Sequence, residues 1–113
     1  MIRNYDLLSE REEVVLSILW KHAESGNYPI CREVIDDLKE EYKCEYAETT
    51  VYTFLKNLIK KGYVEDRRDK GVKFYVPIKS KEEYLEKVLK RMNKIYFNNN
   101  KKDFIKAIKS IDM

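Results

Sequence analysis

The spacing of apolar residues changes twice along the chain, from a helical period to an alternating one near residue 63 and back near residue 80. The first helix opens on Ser9-Glu10-Arg11-Glu12, a capping box in which Ser9 accepts from the Glu12 amide and Glu12 reaches back to the Ser9 amide. Val15, Ile18, Leu19 and His22 follow at helical spacing, with Val14, Leu16 and Trp20 widening the stripe. Ser25-Gly26-Asn27 and then Pro29 end it. A second helix starts near Cys31 or Arg32. It carries Val34, Ile35, Leu38 and Tyr42 on one face and Glu33, Asp36, Asp37 and Lys39 on the other. A third runs from about Glu48 to Lys61 and stops at Gly62, a natural residue just past a helix end. Val51, Phe54, Leu55, Leu58 and Ile59 form its apolar stripe, and Thr49, Tyr52, Thr53, Lys56 and Lys60 its other face.

Alternation then takes over. Tyr63–Arg67 reads as one strand, Asp69-Lys70-Gly71 as a hairpin turn, and Val72–Val76 as the returning strand, ended by Pro77. Helix, short turn, helix, basic-tipped hairpin is the order of a winged helix-turn-helix. A second capping box, Ser80-Lys81-Glu82-Glu83, opens a fourth helix, which continues through Tyr84, Leu85, Val88, Leu89, Met92, Ile95 and Tyr96. Asn98-Asn99-Asn100 breaks it, and Phe104, Ile105, Ile108 and Ile111 mark a short last helix. The expected fold is therefore mostly α with a small β-hairpin. Residues 1–79 form the winged domain, and residues 80–113 form a helical segment whose apolar stripe lies outside that domain. A stripe so placed packs most simply against a second copy of itself, which selects Leu85, Val88, Leu89, Met92, Ile95, Phe104 and Ile108 as dimerisation residues.

Composition narrows the function classes. Of 113 residues, 43% are hydrophobic and 38% charged, with 3 Gly and 2 Pro, so one small core under an ionic surface is expected. No apolar stretch approaches the roughly 20 residues needed to cross a bilayer, and Met1-Ile2-Arg3-Asn4 does not open a signal peptide. A cytoplasmic location without membrane insertion is the expectation. Cys31 and Cys44 are then reduced thiols, and with His22 as the one histidine their spacing fits no familiar zinc motif. No cofactor is expected. Cys31 stands near a helix N-terminus, where a thiolate is favoured, although an inert buried thiol is the commoner state. A Gly-rich phosphate loop, a nucleophile–His–Asp set and an HExxH helix are all missing from the sequence, and an enzyme is not expected.

The charge is unevenly spread. Residues 1–45 carry 6 basic and 11 acidic groups, residues 46–80 carry 8 and 4, and residues 81–113 carry 9 and 5. A cationic second half attracts polyanions, though a lysine-rich solvated surface would count the same. On the third helix, Thr49, Tyr52, Thr53 and Lys56, with Thr50 beside them, supply hydroxyls, a methyl and a cation suited to base edges in a major groove. Glu48 opposes phosphate there but can accept from a cytosine amino group. Arg67, Arg68, Lys70 and Lys73 fit a wing that holds phosphates, and Lys60 and Lys61 divide between phosphate contact and compensation of the helix C-terminus. The remaining tyrosines, Tyr5 among them, and Trp20 read as packing residues, and His22 as a surface or capping residue.

Leu8-Ser9-Glu10-Arg11-Glu12, Ile18-Leu19-Trp20, Thr49-Thr50-Val51-Tyr52-Thr53-Phe54-Leu55 and Leu58-Ile59-Lys60-Lys61-Gly62 together resemble the BlaI/MecI/CopY family of penicillinase and copper repressors. Phe74-Tyr75 before Pro77, Glu82-Glu83-Tyr84-Leu85 and Val88-Leu89 extend the resemblance over roughly residues 7–108. It implies a homodimeric repressor that binds a palindromic operator in double-stranded DNA through its third helix and dimerises through its C-terminal helices. It also implies, as partner, either a membrane sensor-protease that cuts the dimerisation region or copper held by C-terminal cysteines. Two departures bear on the signal. No cysteine follows Cys44, and Ala107-Ile108 stands where β-lactam-responsive relatives have a cleaved Asn-Phe bond. Relatives that continue further also lead to the expectation of a smaller dimer interface here. The competing reading is a winged-helix module that docks on proteins and never touches DNA; it would place apolar residues where the third helix and wing carry Thr, Tyr and Lys.

Overall fold

A computed structural model describes residues 7–113; Tyr5 lies outside the described residues. The elements run α1 (Glu10–Glu24), α2 (Cys31–Tyr42), α3 (Glu48–Lys60), β1 (Val64–Asp69), β2 (Val72–Pro77), α4 (Lys81–Phe97) and α5 (Lys101–Ser110). The chain divides into two compact units, Leu8–Lys81 and a second that contains Glu82–Met113.

In the first unit α1 is the central element, packed on α2, α3 and β2. Val15, Leu16, Ile18 and Leu19 of α1 are fully buried with Val34 of α2 and with Val51, Leu55 and Leu58 of α3. The hairpin adds Val64, Tyr75 and Val76 to the same core. The predicted capping box is formed: Glu12 N–H donates to Ser9 Oγ at 3.2 Å and Ser9 N–H to Glu12 Oε1 at 2.9 Å. That same Glu12 oxygen accepts from Lys61 Nζ at 2.8 Å, which joins the start of α1 to the end of α3. Lys61 therefore serves a buried carboxylate, a partner that the sequence does not reveal. Burial pushes the Glu12 carboxyl up, but the Lys61 ammonium and the Ser9 donors outweigh it and hold the carboxyl below its ordinary value.

Gly62 ends α3 at φ +83°, a backbone conformation that favours glycine. The Gly62 N–H donates to Ile59 O and the Tyr63 N–H to Leu58 O, both at 3.0 Å. This Schellman arrangement turns the chain straight from helix into strand. The hairpin differs from the sequence expectation at its tip. Asp69 is not in the turn but pairs with Val72, leaving a two-residue loop of Lys70 and Gly71 at φ +51° and +81°. Two positive φ values match the strand twist in such short loops, and β1 runs two residues past the expected strand end at Arg67. An N–H···O bond of 2.9 Å from Tyr75 to Pro29 O ties β2 to the loop before α2. Trp20 Nε1 donates to Lys79 O at 2.9 Å, fastening the segment after β2 onto α1. This is a winged helix-turn-helix.

In the second unit Phe97 of α4 and Phe104 of α5 stack with centroids 5.2 Å apart. Phe104, expected on a dimer face, thus has a partner within the chain. Tyr84 is buried, whereas Leu85, Leu89, Met92, Ile95, Tyr96, Ile105, Ile108 and Ile111 are exposed and Val88 is half-buried. Asn100 caps α5 by accepting from Asp103 N–H at 3.2 Å.

The Glu12–Lys61 pair generates a test. Lys61→Met strands a carboxylate that is 5% exposed, and unfolding in urea at neutral pH should show a loss of about 1–3 kcal/mol. Because the folded carboxyl titrates below the unfolded one, the pair stabilises above the unfolded pKa and fades as pH falls through the folded one. The gap between variant and parent should therefore narrow in acid.

Candidate nucleic-acid interface

Burying Val51, Leu55 and Leu58 turns the opposite side of α3 outward. Thr49, Thr53, Lys56 and Lys60 lie on that side at i, i+4, i+7 and i+11, all exposed. Asn57 is exposed between Thr53 and Lys60; the sequence reading passed over it, although its position four residues after Thr53 was the available signal. Thr50 is half-buried on one flank of this face and Tyr52, 39% exposed, stands on the other. Ala47 gives the helix no side-chain cap, and the Thr50 N–H turns back to Ala47 O at 3.0 Å. Thr53 Oγ1 donates to Thr49 O at 2.9 Å, which leaves the Thr53 oxygen as an acceptor beside its methyl group.

The wing cations do not behave alike. Arg68 and Lys70 are exposed near the hairpin tip. Arg67 Nε donates to Glu65 Oε1 at 2.7 Å, so its charge is partly matched by its neighbour along the strand. Lys73 lies directly across the ladder from Arg68 but is drawn towards α3. Its Nζ donates to Tyr52 Oη at 3.3 Å and is 3.3 Å from Asp66 Oδ2. It also sits 4.9 Å from the Tyr52 ring centroid and 5.9 Å from that of Tyr75. The hydrogen bond to Tyr52 raises the Lys73 ammonium above its ordinary pKa, and that to Asp66 adds to it. Lys56 Nζ lies 5.7 Å from the same Tyr52 centroid, giving that ring two neighbouring cations.

Between α2, α3 and β2 is an open pocket of about 420 Å³ lined by Cys31, Glu48, Thr49, Tyr52, Lys73 and Tyr75. Burial, and then the Glu48 carboxylate, push the Cys31 thiol up, against a smaller opposite pull from Lys73. The shift runs opposite to the lowering that a helix N-terminus favours. The His22 side chain is bonded between helices: its Nε2 shares a 2.7 Å hydrogen bond with Asp37 Oδ2, linking α1 to α2. Among the described residues no cluster of three or more His, Cys, Asp or Glu could hold a metal, and no helix is long and apolar enough to cross a membrane. The Cys31 environment predicts alkylation by iodoacetamide whose rate rises with a midpoint above that of a free cysteine; a midpoint at or below it would contradict the assignment.

Known proteins share this arrangement. The solution structure of the DNA-binding domain of the repressor BlaI superposes with a TM-score of 0.56 at 26% identity, covering 74% of this chain and 94% of that one. RosR of H. salinarum has the same fold, with a TM-score of 0.57 at 18% identity over 93% of each chain. The complex structure of hsRosR-S1 gives 0.55 at 21% identity over 91% of this chain and 92% of that one. No individually curated protein matches. The family model described as penicillinase repressor matches residues 8–111, and the chain belongs to that family.

Proposed function

We propose that this chain, a transcription regulator by its family, is a cytoplasmic homodimeric repressor that binds a palindromic operator in double-stranded DNA. The observation that carries the reading is the outward face of α3, where Thr49, Thr53, Lys56 and Lys60 stand exposed beside the basic wing tip at Arg68 and Lys70. A helix so presented fits a major groove, with hydroxyls and a methyl for base edges and cations for phosphates. A protein-docking version of the fold would show apolar groups on that face. The DNA-binding title of the BlaI domain supports the same choice. The exposed stripe Leu85, Leu89, Met92, Ile95 and Ile108 supports dimerisation through α4 and α5. Twofold symmetry then calls for two half-sites whose centres lie about 34–36 Å apart, or a multiple of that. The inducer and any sensor-protease stay outside this proposal, since neither a C-terminal thiol pair nor the Asn-Phe bond is in the sequence.

Selection of bound duplexes from a random pool tests the reading. It should return a palindrome, and binding to random-sequence DNA should weaken steeply with salt. Thr53→Ala should lose about 1–3 kcal/mol of preference for the selected duplex over random DNA. Arg68→Ala should weaken both duplexes and flatten the log–log salt dependence by roughly 0.9 units. A chain with no salt-dependent DNA affinity would leave the protein-docking reading in its place. For the dimer, Leu89→Asp with Ile108→Asp should give monomers by light scattering at micromolar concentration; a persistent dimer would move the interface elsewhere.

A further inference from the structure

The sequence groups Lys73 with the phosphate-holding cations of the wing, but its surroundings set it apart. Arg68, its partner across the ladder, is exposed, whereas the Lys73 side chain is 24% exposed. Its ammonium has two oxygens at 3.3 Å, Tyr52 Oη and Asp66 Oδ2, and a ring centroid at 4.9 Å. An ammonium already matched by a carboxylate has less charge to offer a phosphate. It is instead well placed to fix the one aromatic side chain on the flank of the proposed reading face.

We propose that Lys73 is a positioning residue that sets both the place and the hydrogen-bonding sense of the Tyr52 hydroxyl at the DNA. The inference rests on the DNA-reading role of α3. A lysine ammonium has three donors and no acceptor, so in the Lys73–Tyr52 bond the phenol oxygen must accept. The phenolic hydrogen is thereby released from that bond and points elsewhere. Tyr52 is then a donor towards DNA, and its partner is a major-groove acceptor: N7 of a purine, O6 of guanine or O4 of thymine. The cytosine amino group, a donor, is disfavoured as that partner. Holding the ring before DNA arrives also removes part of the ordering cost of binding. Asp66 completes the arrangement by also holding the ammonium, which couples β1, β2 and α3 through one side chain.

The test compares the parent chain with Tyr52→Phe, Lys73→Met, the double variant and Lys73→Arg, on the selected duplex and on random-sequence DNA across a salt series. Circular dichroism melts first establish that each variant is folded, and Lys73→Arg, which keeps a donor and a charge, provides a second variant. Lys73→Met is expected to reduce the preference for the selected duplex roughly tenfold, about as much as Tyr52→Phe. The double variant should lose little more than either alone, the salt slope on random DNA should hold, and Lys73→Arg should recover much of the preference. Equal weakening on both duplexes with a slope flattened by roughly 0.9 would make Lys73 a phosphate ligand and overturn the proposal. So would additive losses in the double variant. A parent chain that binds neither duplex would overturn the DNA reading itself, an outcome distinct from failure of Lys73 in a chain that does bind.

Discussion

The rotation of α3 about its own axis is the constraint on which the rest of the first unit depends. Val51, Leu55 and Leu58 have no exposed surface, and full burial of such side chains contributes about 1.5–3 kcal/mol each. Turning the helix by one residue would bring polar groups inward and forfeit much of that sum. Surface contacts of Lys56 or Lys60, at about 0–1 kcal/mol, could not offset it. The core thus decides which residues α3 displays, with no requirement that the displayed residues stabilise the fold. Position along the axis is fixed separately, by Lys61 reaching the buried Glu12 at one end of the helix and by the turn at Gly62. That turn also launches the wing, so α3 and the hairpin leave one junction in a set relation.

Much of this was legible in the sequence because it depends on short-range rules. Helical and alternating periods gave the elements, Ser9 and Glu12 gave the first cap, and Gly62 marked the end of α3. Contacts between distant residues were not legible. Nothing in the order of residues pairs Lys61 with Glu12, 49 positions away, or Lys73 with Tyr52, 21 positions away. From sequence, Lys61 divides between phosphate contact and helix-end compensation and Lys73 falls among the phosphate-holding cations, because charge counting treats every lysine alike. For Cys31, helix position favours a thiolate whereas an inert thiol is the commoner state, and burial with Glu48 nearby pushes its pKa up, in the direction of the thiol. The extra residue pair at Asp69 and Val72 was hidden because a lysine at positive φ is uncommon, so the tip read as three residues rather than two.

The second unit shows where a stripe on a sequence stops being informative. Its apolar positions divide in the fold into a buried Tyr84, a Phe97–Phe104 stack joining α4 to α5, and a remainder left exposed. Helical spacing alone could not make that division, since all of these residues share one periodic pattern. The exposed remainder is what supports the proposed dimer, and it is smaller than the stripe suggests. In the first unit the cations divide in a similar way: Lys61 and Lys73 are engaged with partners, Arg67 is matched by Glu65, and Arg68 and Lys70 remain outward. Electrostatic attraction to a polyanion is therefore assigned to fewer groups than the net charge implies, and each is correspondingly easier to test.

The central claim is that α3 and the wing meet DNA together, through the face opposite Val51, Leu55 and Leu58. Amide chemical shifts of the isotopically labelled full-length chain, followed as the selected duplex is added, test it most directly. The account predicts the largest changes at residues 48–57 and 66–73, with the core positions of α1 nearly still. Changes centred on α1 or α5, with α3 and the hairpin unmoved, would contradict it.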